Sequence, residues 1–467
     1  MSPVVVVGGS VAGLATALAL ARAGRAVLVL DRAAAPPEGV ADEVAPEWNR
    51  PSVPHAQQAH TLTSLGVAVL RDHAPDVLAD AVASGAELLD LVTALPPGLG
   101  GRVAGDDELV ALACRRTVLE LVLVNLVRAT AGVEVRHGVR VSGLLTAGRG
   151  TRVAGVVTDT GERVAAEIVV DATGRRARAR SWLAALGHRL PPDSTGRTGV
   201  RVHSRFYRRR TRPGPLNRGN AAGVVADHYA GVLHPADGDL FSVALGTHPS
   251  DHALAALRQP RAFQAVASAT PYVEEWLADA VPYGDVHVTT CPPNVFGALA
   301  GAWPQPLAGL FPVGDAACVT DPLFGRGMSL AIAHAFRLAE VLDAGPEVGE
   351  AQSKEAVRAA LDLFTPWYQQ AYADSEERAD RWRRAVTGEP PPPEGPRLGV
   401  RAVGRAAPHD AEVWRGLTRV LMGLCPAGEV FADAGFAARV RRVLADTPRA
   451  SATPTRHDLL TTVSTES

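Results

Sequence analysis

Two acids, each set at the end of an apolar run beside glycines, are the residues best suited to hold a ligand. Asp31 closes the run Val27-Leu28-Val29-Leu30 and stands 23 residues after Gly8, the first glycine of Gly8-Gly9-Ser10-Val11-Ala12-Gly13. Asp315 follows Gly314 after the run Gly309-Leu310-Phe311-Pro312-Val313. An acid at the carboxyl end of a strand can bond sugar hydroxyls, while a glycine turn that opens a helix offers N–H groups and a dipole to a pyrophosphate. The first spacing predicts a βαβ unit and a dinucleotide site: a buried strand at Val4-Val5-Val6-Val7, a helix from Val11 to Ala23 capped by Gly24, and a second strand ending at Asp31. Ser10 replaces the middle glycine of the fingerprint; it is the smallest such departure, and its hydroxyl can donate to a phosphate. The competing reading is an ordinary βαβ unit whose glycines serve helix–strand packing.

A third glycine-bearing turn, Gly325-Arg326-Gly327-Met328, opens an apolar helix and would favour anionic character at its N-terminus. No Ser/His/Asp or Cys/His arrangement can be placed, and no metal-ligand spacing occurs. Cys114, Cys291, Cys318 and Cys425 are scattered, which argues against a disulfide framework and fits a reducing cytoplasm. Such a chain suits chemistry carried by a bound cofactor.

These turns need a large scaffold, and 467 residues allow two or three domains. A net charge of −2 gives no reason to expect nucleic acid or a membrane surface as partner. The first strand begins at Pro3, leaving no room for a signal peptide, and the longest apolar run, Leu119 to Val127, is broken by Glu120 and Asn125. Helices are expected at Thr63–Asp72, in 75–105, and from Arg115 to Thr130. Strands are expected at Val133–Val135, Val139–Leu145, Val153–Thr158 and Arg163–Val170. Alternation from Val200 to Tyr207 predicts a strand whose Arg205 and Tyr207 share a face. Further strands are read at Val224–Tyr229 and Leu240–Leu245, then a helix with Thr270 as N-cap and Pro271 at its first position.

The segments GGSVAGL, DATGR (Asp171 to Arg175) and VGDAA…DPLFGRGM, in this order, resemble those of FAD-dependent monooxygenases of the aromatic-hydroxylase (group A-like) fold. The likeness covers most of residues 1–345 and is greatest to an actinobacterial branch that includes polyketide polyene epoxidases. That branch shows R-x-G-V-P-Q-x-x-H-x-H-x-L, then S-R-x-x-L-E. The resemblance implies an α/β fold: a Rossmann-like FAD-binding domain with a parallel sheet, a mixed or antiparallel-sheet substrate domain, and a helical C-terminal tail. The corresponding boundaries are FAD-binding segments 1–74, 106–190 and 296–345, a substrate-domain excursion 75–105, the substrate domain 191–295, a helical region 346–450 and a disordered tail 451–467. Pro390-Pro391-Pro392-Pro393 reads as a stiff connector in that region.

The resemblance also assigns roles. Gly8, Gly9, Ser10, Val11, Ala12, Gly13, Asp31 and Arg32 would surround the adenosine and pyrophosphate, with Arg116 on the pyrophosphate and Arg115 its rival. Arg50 and His60 lie in a loop folded over the cofactor, where His55 and Gln58 depart from the family pattern. Val141 and Gly174 would flank FAD, Gly314 and Asp315 would hold its ribityl and pyrophosphate portion, and Pro322 would lie near the face where oxygen reacts. Gly325, Arg326, Gly327 and Met328 would face the isoalloxazine edge. His60, Arg205 and Tyr207 are the candidate catalytic residues; no metal is expected. The implied activity is epoxidation or hydroxylation, through a flavin C4a-hydroperoxide, of a largely apolar, polyketide-like natural product. Electrons would come from NADPH or NADH, directly or through a separate flavin reductase, and oxygen from O2. The protein would be a monomer or homodimer. A halogenase, a flavin-dependent reductase and a non-redox isomerase or cyclase are the alternatives on this fold.

Overall fold

A computed structural model describes residues 2–447 except 52, 54, 55, 57, 59, 198, 212–213, 302–306, 391–394 and 396, and also residues 453–466. His55 and most of the Pro390–Pro393 connector therefore lie outside the described residues.

The apolar N-terminal runs do form the expected unit. Strand β1 (Val4–Val7), helix α1 (Val11–Arg22) and strand β2 (Val27–Asp31) follow one another, and Gly24 takes φ +78° just after the helix. Helix α2 (Ser64–His73) comes next, then α3 (Pro75–Ala83) and a hairpin of β3 (Glu87–Asp90) and β4 (Val110–Ala113). Val77 and Ala81 of α3 are fully buried in the same core as β1 and α1. Residues 75–83 thus belong to the first domain's core, not to an excursion. Leu91, Leu109 and Ala111 around the hairpin pack instead with C-terminal helices.

Helix α4 (Arg116–Ala129) leads to β5 (Val133–His137), then to a meander of β6 (Val141–Ala147), β7 (Arg152–Thr158) and β8 (Arg163–Ala165). The strand expected over Arg163–Val170 is two elements. Its first part closes the meander, and β9 (Val169–Asp171) runs parallel to β1. One apolar stretch here serves two sheets, which periodicity alone does not reveal. Helix α5 (Arg178–Ala185) follows.

The second domain is a five-stranded antiparallel sheet. It contains β10 (Val200–Arg209), β11 (Ala222–Val225), β12 (Ala230–Pro235), β13 (Leu240–Thr247) and β14 (Ala280–Cys291), in the order β11-β12-β13-β10-β14. The strand read at Val224–Tyr229 actually spans the turn between β11 and β12. Helices α6 (Pro260–Ser268) and α7 (Val273–Leu277) cover one face. Thr270 does not start α7: its Oγ1 donates to the Val266 carbonyl at 2.9 Å, and α7 begins after Tyr272.

The chain then returns to the first domain through β15 (Leu310–Pro312), completing a parallel sheet ordered β15-β9-β1-β2-β5. Helix α8 (Gly327–Ala344) packs against α1 and α2, and α9 (Glu350–Thr387) runs across α8. Helices α10 (Val400–Ala406), α11 (Ala411–Leu421) and α12 (Ala434–Asp446) form the C-terminal layer. The tail expected to be disordered forms α13 (Arg456–Glu466). Leu459 and Val463, one turn apart, are buried in the core under α6, and Arg456 pairs with Asp251 at 2.9 Å. With Leu460 partly buried beside them, three apolar residues in a polar segment suffice because the docking surface already exists. No helix among the described residues is long and apolar enough to cross a membrane.

Candidate active site

Three glycines make the first turn possible. A Cβ on Gly8 (φ +113°) would lie 2.4 Å from the Ala172 carbonyl oxygen, one on Gly9 2.8 Å from Asp31 Oδ2, and one on Gly13 1.8 Å from the Gly8 oxygen. The ends of β1, β9 and β2 therefore meet the start of α1 with no side chain between them, and α1 directs its free N–H groups into the space beyond. Gly13→Ala must force α1 off this turn and is expected to cost about 3 kcal/mol or more. Gly174→Ala, at φ +66° with nothing within 4 Å of the new methyl, is expected to cost about 1 kcal/mol. Denaturant midpoints of the two variants check this ordering.

Asp31 is buried at the end of β2. Its Oδ1 accepts from the Ala33 N–H at 3.1 Å, while Oδ2 has no hydrogen-bond donor and lies 3.7 Å from the Arg50 guanidinium. Glu120, fully buried on α4, stands between two arginines: Arg116 Nε at 3.1 Å and Arg50 Nε at 3.3 Å. Burial pushes the Glu120 pKa up, but Arg116 and Arg50 outweigh it and hold the carboxyl below its ordinary value. Ser10 does not present its hydroxyl forward. Its Oγ donates to Glu120 and accepts from Arg116 Nη2 at 2.9 Å, so the residue that replaces the middle glycine is tied to α4. Arg115 turns the other way, onto Asp237 at 2.6 Å, so of this pair it is Arg116 that lines the cavity.

The second and third turns close on the first. Asp171 is consumed by structure, accepting from Thr173 N, Thr173 Oγ1 and Ala179 N. Gly314 (φ +60°) sits so near α1 that a Cβ would meet Ala12 Cβ at 2.8 Å. Asp315 lies 3.6 Å from Arg175. Asp321 accepts from Leu323 N at 3.0 Å and pairs with Arg378 of α9 at 2.5 Å, fixing the turn through Pro322. The Arg326 side chain departs from expectation. It is fully buried between Phe324 and Trp367, donates to Gln370 Oε1 at 2.8 Å, and points away from the cavity. Two aromatic rings offer the guanidinium a better berth than the helix N-terminus, which repels a cation.

The turns enclose a cavity of about 500 Å³. One end is lined by Gly8 to Ala12, Asp31, Arg32, Arg50 and Arg116; Val141, Gly174 and Asp315 also line the cavity. The other end is lined by Pro322, Gly325, Gly327 and Met328, with His60, Thr61 and His234 beside them. Gly13 and Gly314 stand behind this lining as packing glycines.

Arg205 and Tyr207 are not at the cavity. Residues opposite one another in the sheet share a face. His234 pairs with Ser242, which pairs with Phe206, so the even-numbered face of β10 looks toward the cavity. Tyr207 pairs with Phe241 on the opposite face, fully buried under α6, and its hydroxyl donates to Gln264. Arg205 donates to the Gly284 carbonyl at 2.9 Å. His234 and Thr61 were missed in the sequence. Only the register across three strands identifies the cavity face, although the alternation of β12 marks His234 as facing opposite to Leu233. Burial depresses His60 to about 3 and His234 to about 4, so both rings are neutral near pH 7. Among the described residues no group of His, Cys, Asp and Glu side chains could hold a metal ion.

A family model described as an NAD(P)-binding Rossmann-like domain matches residues 6–71. The chain is 28% identical over 429 residues to Protein Rv3254 of Mycobacterium tuberculosis, covering 81% of this chain and 83% of that protein. Among solved structures, PqsL of Pseudomonas aeruginosa, described as a probable FAD-dependent monooxygenase, aligns with a TM-score of 0.56 at 16% identity, over 83% of this chain and 99% of its own. The flavin-dependent brominase Bmp2 aligns at 0.58 and 16%, over 95% and 98%. The Diels-Alderase PyrE3 aligns at 0.56 and 18%, over 91% and 81%. The fold is one that FAD-dependent monooxygenases share. Because it also serves a brominase and a Diels-Alderase, the chemistry of this chain must be argued from its own side chains.

Proposed function

We propose that this chain is an FAD-dependent monooxygenase that epoxidises or hydroxylates a small natural-product-like molecule with a largely apolar body. The observation that carries this reading is the single cavity joining the Gly8–Ala12 turn to the Gly325–Met328 turn. Its donors and acceptors suit an extended dinucleotide. Asp31 Oδ2, a buried acceptor without a donor, fits a ribose hydroxyl. Arg116 and the N–H groups of α1 fit a pyrophosphate. Asp315 fits the hydroxyls of a ribityl chain, and the N-terminus of α8 fits the electron-rich edge of an isoalloxazine.

Bound FAD would supply two-electron transfer and the activation of dioxygen. The protein's part is to bind, orient and keep water out. Asp321 and Arg378 hold Pro322 in place, and the neutral rings of His60 and His234 add no charge where an apolar substrate must approach. A hydroxylation would call on one of the two cavity histidines, His60 or His234, for proton exchange, whereas epoxidation needs no such exchange. Electrons come from NADPH or NADH, or from a separate reductase. A brominase chemistry relying on an active-site lysine is disfavoured, since the chain's single lysine, Lys354, is exposed on α9.

The test is to load the protein with FAD, reduce it anaerobically with NADPH, and admit isotopically labelled dioxygen in the presence of polyene and phenol substrates. Product carrying one labelled oxygen atom is expected. Product formed without oxygen would favour a reductase or cyclase, and protein unable to take up FAD would refute the flavoenzyme reading. If NADPH leaves the flavin oxidised, a partner reductase supplies the electrons.

A further inference from the structure

The turn that starts α8 carries a buried charge beside the cavity. Gly325, Gly327 and Met328 line the cavity, and Arg326 stands among them in sequence with its side chain directed away into the protein. The residue is fully buried, and the ring centres of Phe324 and Trp367 lie 4.5 and 4.8 Å from its guanidinium carbon. Nη1 donates to Gln370 Oε1 at 2.8 Å and to the Val420 carbonyl at 3.4 Å. Nε and Nη2 are buried with no hydrogen-bond partner among the described residues.

Each of these four neighbours is neutral, and Arg326 makes no ion pair among the described residues. The two acids whose fields reach it are held by other arginines, Asp321 by Arg378 at 2.5 Å and Asp374 by Arg397 at 2.7 Å. Burial lowers the Arg326 pKa to about 10, so the group stays charged near pH 7. Aromatic faces and amide oxygens thus hold the cation without cancelling its charge. The arrangement is costly twice over. Burial disfavours an unpaired ion, and Arg326 is the N-cap residue of α8, whose positive end repels it. An apolar side chain between the same two rings would meet neither cost. An anion on the cavity side of Gly325 and Gly327 would offset both, because it would meet the helix dipole and the guanidinium together.

Addition of two electrons and one proton, as a hydride from NAD(P)H or as the same sum from a reductase, converts a neutral isoalloxazine into a monoanion. We propose that Arg326 is a fixed internal counter-charge for that anion, raising the reduction potential of the bound flavin without reaching into the cavity. The assignment rests on the flavoenzyme reading of the cavity. It gives one residue of this chain control over how readily the cofactor accepts electrons.

The experiment compares the midpoint potential of FAD bound to the wild type, Arg326→Met, Arg326→Lys and Gln370→Glu, by anaerobic dithionite titration beside reference dyes near pH 8. Arg326→Met removes the charge. Gln370→Glu keeps Arg326 and sets a carboxylate where its amide acceptor stood. Both should shift the ratio of reduced to oxidised flavin at a given potential about tenfold toward oxidised, the order expected of one charge at an effective dielectric of about 20. That is a fall of about 30 mV for a two-electron couple. Arg326→Lys keeps the charge and should stay within about threefold of the wild type. A Gln370→Glu protein with the wild-type potential would overturn the assignment, even if Arg326→Met fails to fold. So would an Arg326→Lys protein whose potential falls as far as that of Arg326→Met, since packing of the turn and not charge would then set it. FAD uptake is measured first: a wild type that takes up no flavin refutes the broader reading, whereas flavin-loaded variants that share one potential refute only the role of Arg326.

Discussion

Glu120→Ala is expected to lower the unfolding free energy of the flavin-free protein by about 3–5 kcal/mol, the usual cost of leaving buried charges unpaired. Arg50 and Arg116 both direct a guanidinium at this carboxylate, and their side chains are 2% and 11% exposed. Removing Glu120 leaves Arg116 without its carboxylate and Arg50 with Asp31 alone, at 3.7 Å, and Ser10 loses the acceptor that ties α1 to α4. Glu120→Gln keeps the shape and an acceptor for Ser10, so it should cost less. A bound pyrophosphate would bring negative charge back to Arg116. Saturating FAD should therefore stabilise Glu120→Ala by more than it stabilises the wild type. Urea denaturation of both proteins, with and without FAD, decides the matter. A loss below about 1 kcal/mol would place the cluster in the class of weak surface pairs. An equal loss with and without FAD would separate Arg116 from the pyrophosphate.

This cluster also shows where the sequence was informative. Gly8, Gly13 and Asp31 are legible because their roles are local: strand, turn, helix and strand follow within 31 residues, and each glycine's need for space arises from the same unit. The choice of Arg116 over its neighbour Arg115 rested on the resemblance to the S-R-x-x-L-E pattern. The partner that makes Arg115 unavailable, Asp237, lies 122 residues away in the other domain and could not be read from spacing. Arg326 went astray for the same reason. Its position at a helix start is local, but Trp367 and Gln370, which draw the side chain away, come from α9.

The second domain was less legible still. Alternation in β10 is plain, yet it names two faces without saying which is the inner one. Both faces are packed here, one by α6 and α7 and the other toward the cavity, so the contrast between polar and apolar residues that usually settles the matter is absent. Alternation puts Arg205 and Tyr207 on one face of β10, while the residue of this sheet at the cavity is His234 of β12. Helix α13 eluded composition because only three apolar side chains anchor it, and their docking site is built from α6 and the segment around Leu254, some two hundred residues earlier.

The burial that makes these histidines inconspicuous should dominate the protein's response to acid. His203 and His334 are almost fully buried, and His60 and His234 line the cavity. Burial holds all four well below the ordinary histidine value, His203 and His234 at about 4, His60 and His334 at about 3. Each is therefore neutral in the folded protein at pH 5, whereas the unfolded chain protonates it at the ordinary value of about 6.5. Between these values the unfolded state binds more protons, so stability falls as pH falls, by up to about 1.4 kcal/mol per pH unit for each ring. With four rings the slope near pH 5 approaches about 5 kcal/mol per pH unit, large against a total of about 5–15 kcal/mol. Carboxylates held below their ordinary value, such as Glu120 and Asp106, add to the loss only once pH enters the carboxylate range. The flavin-free protein should accordingly lose most of its stability between pH 6.5 and 4.5. His203→Gln removes one titrating ring away from the cavity and should reduce the slope by about a quarter. Unfolding free energies measured at pH steps from 7 to 5 test this: a slope equivalent to less than one proton would mean that the rings are hydrated and charge without unfolding the protein.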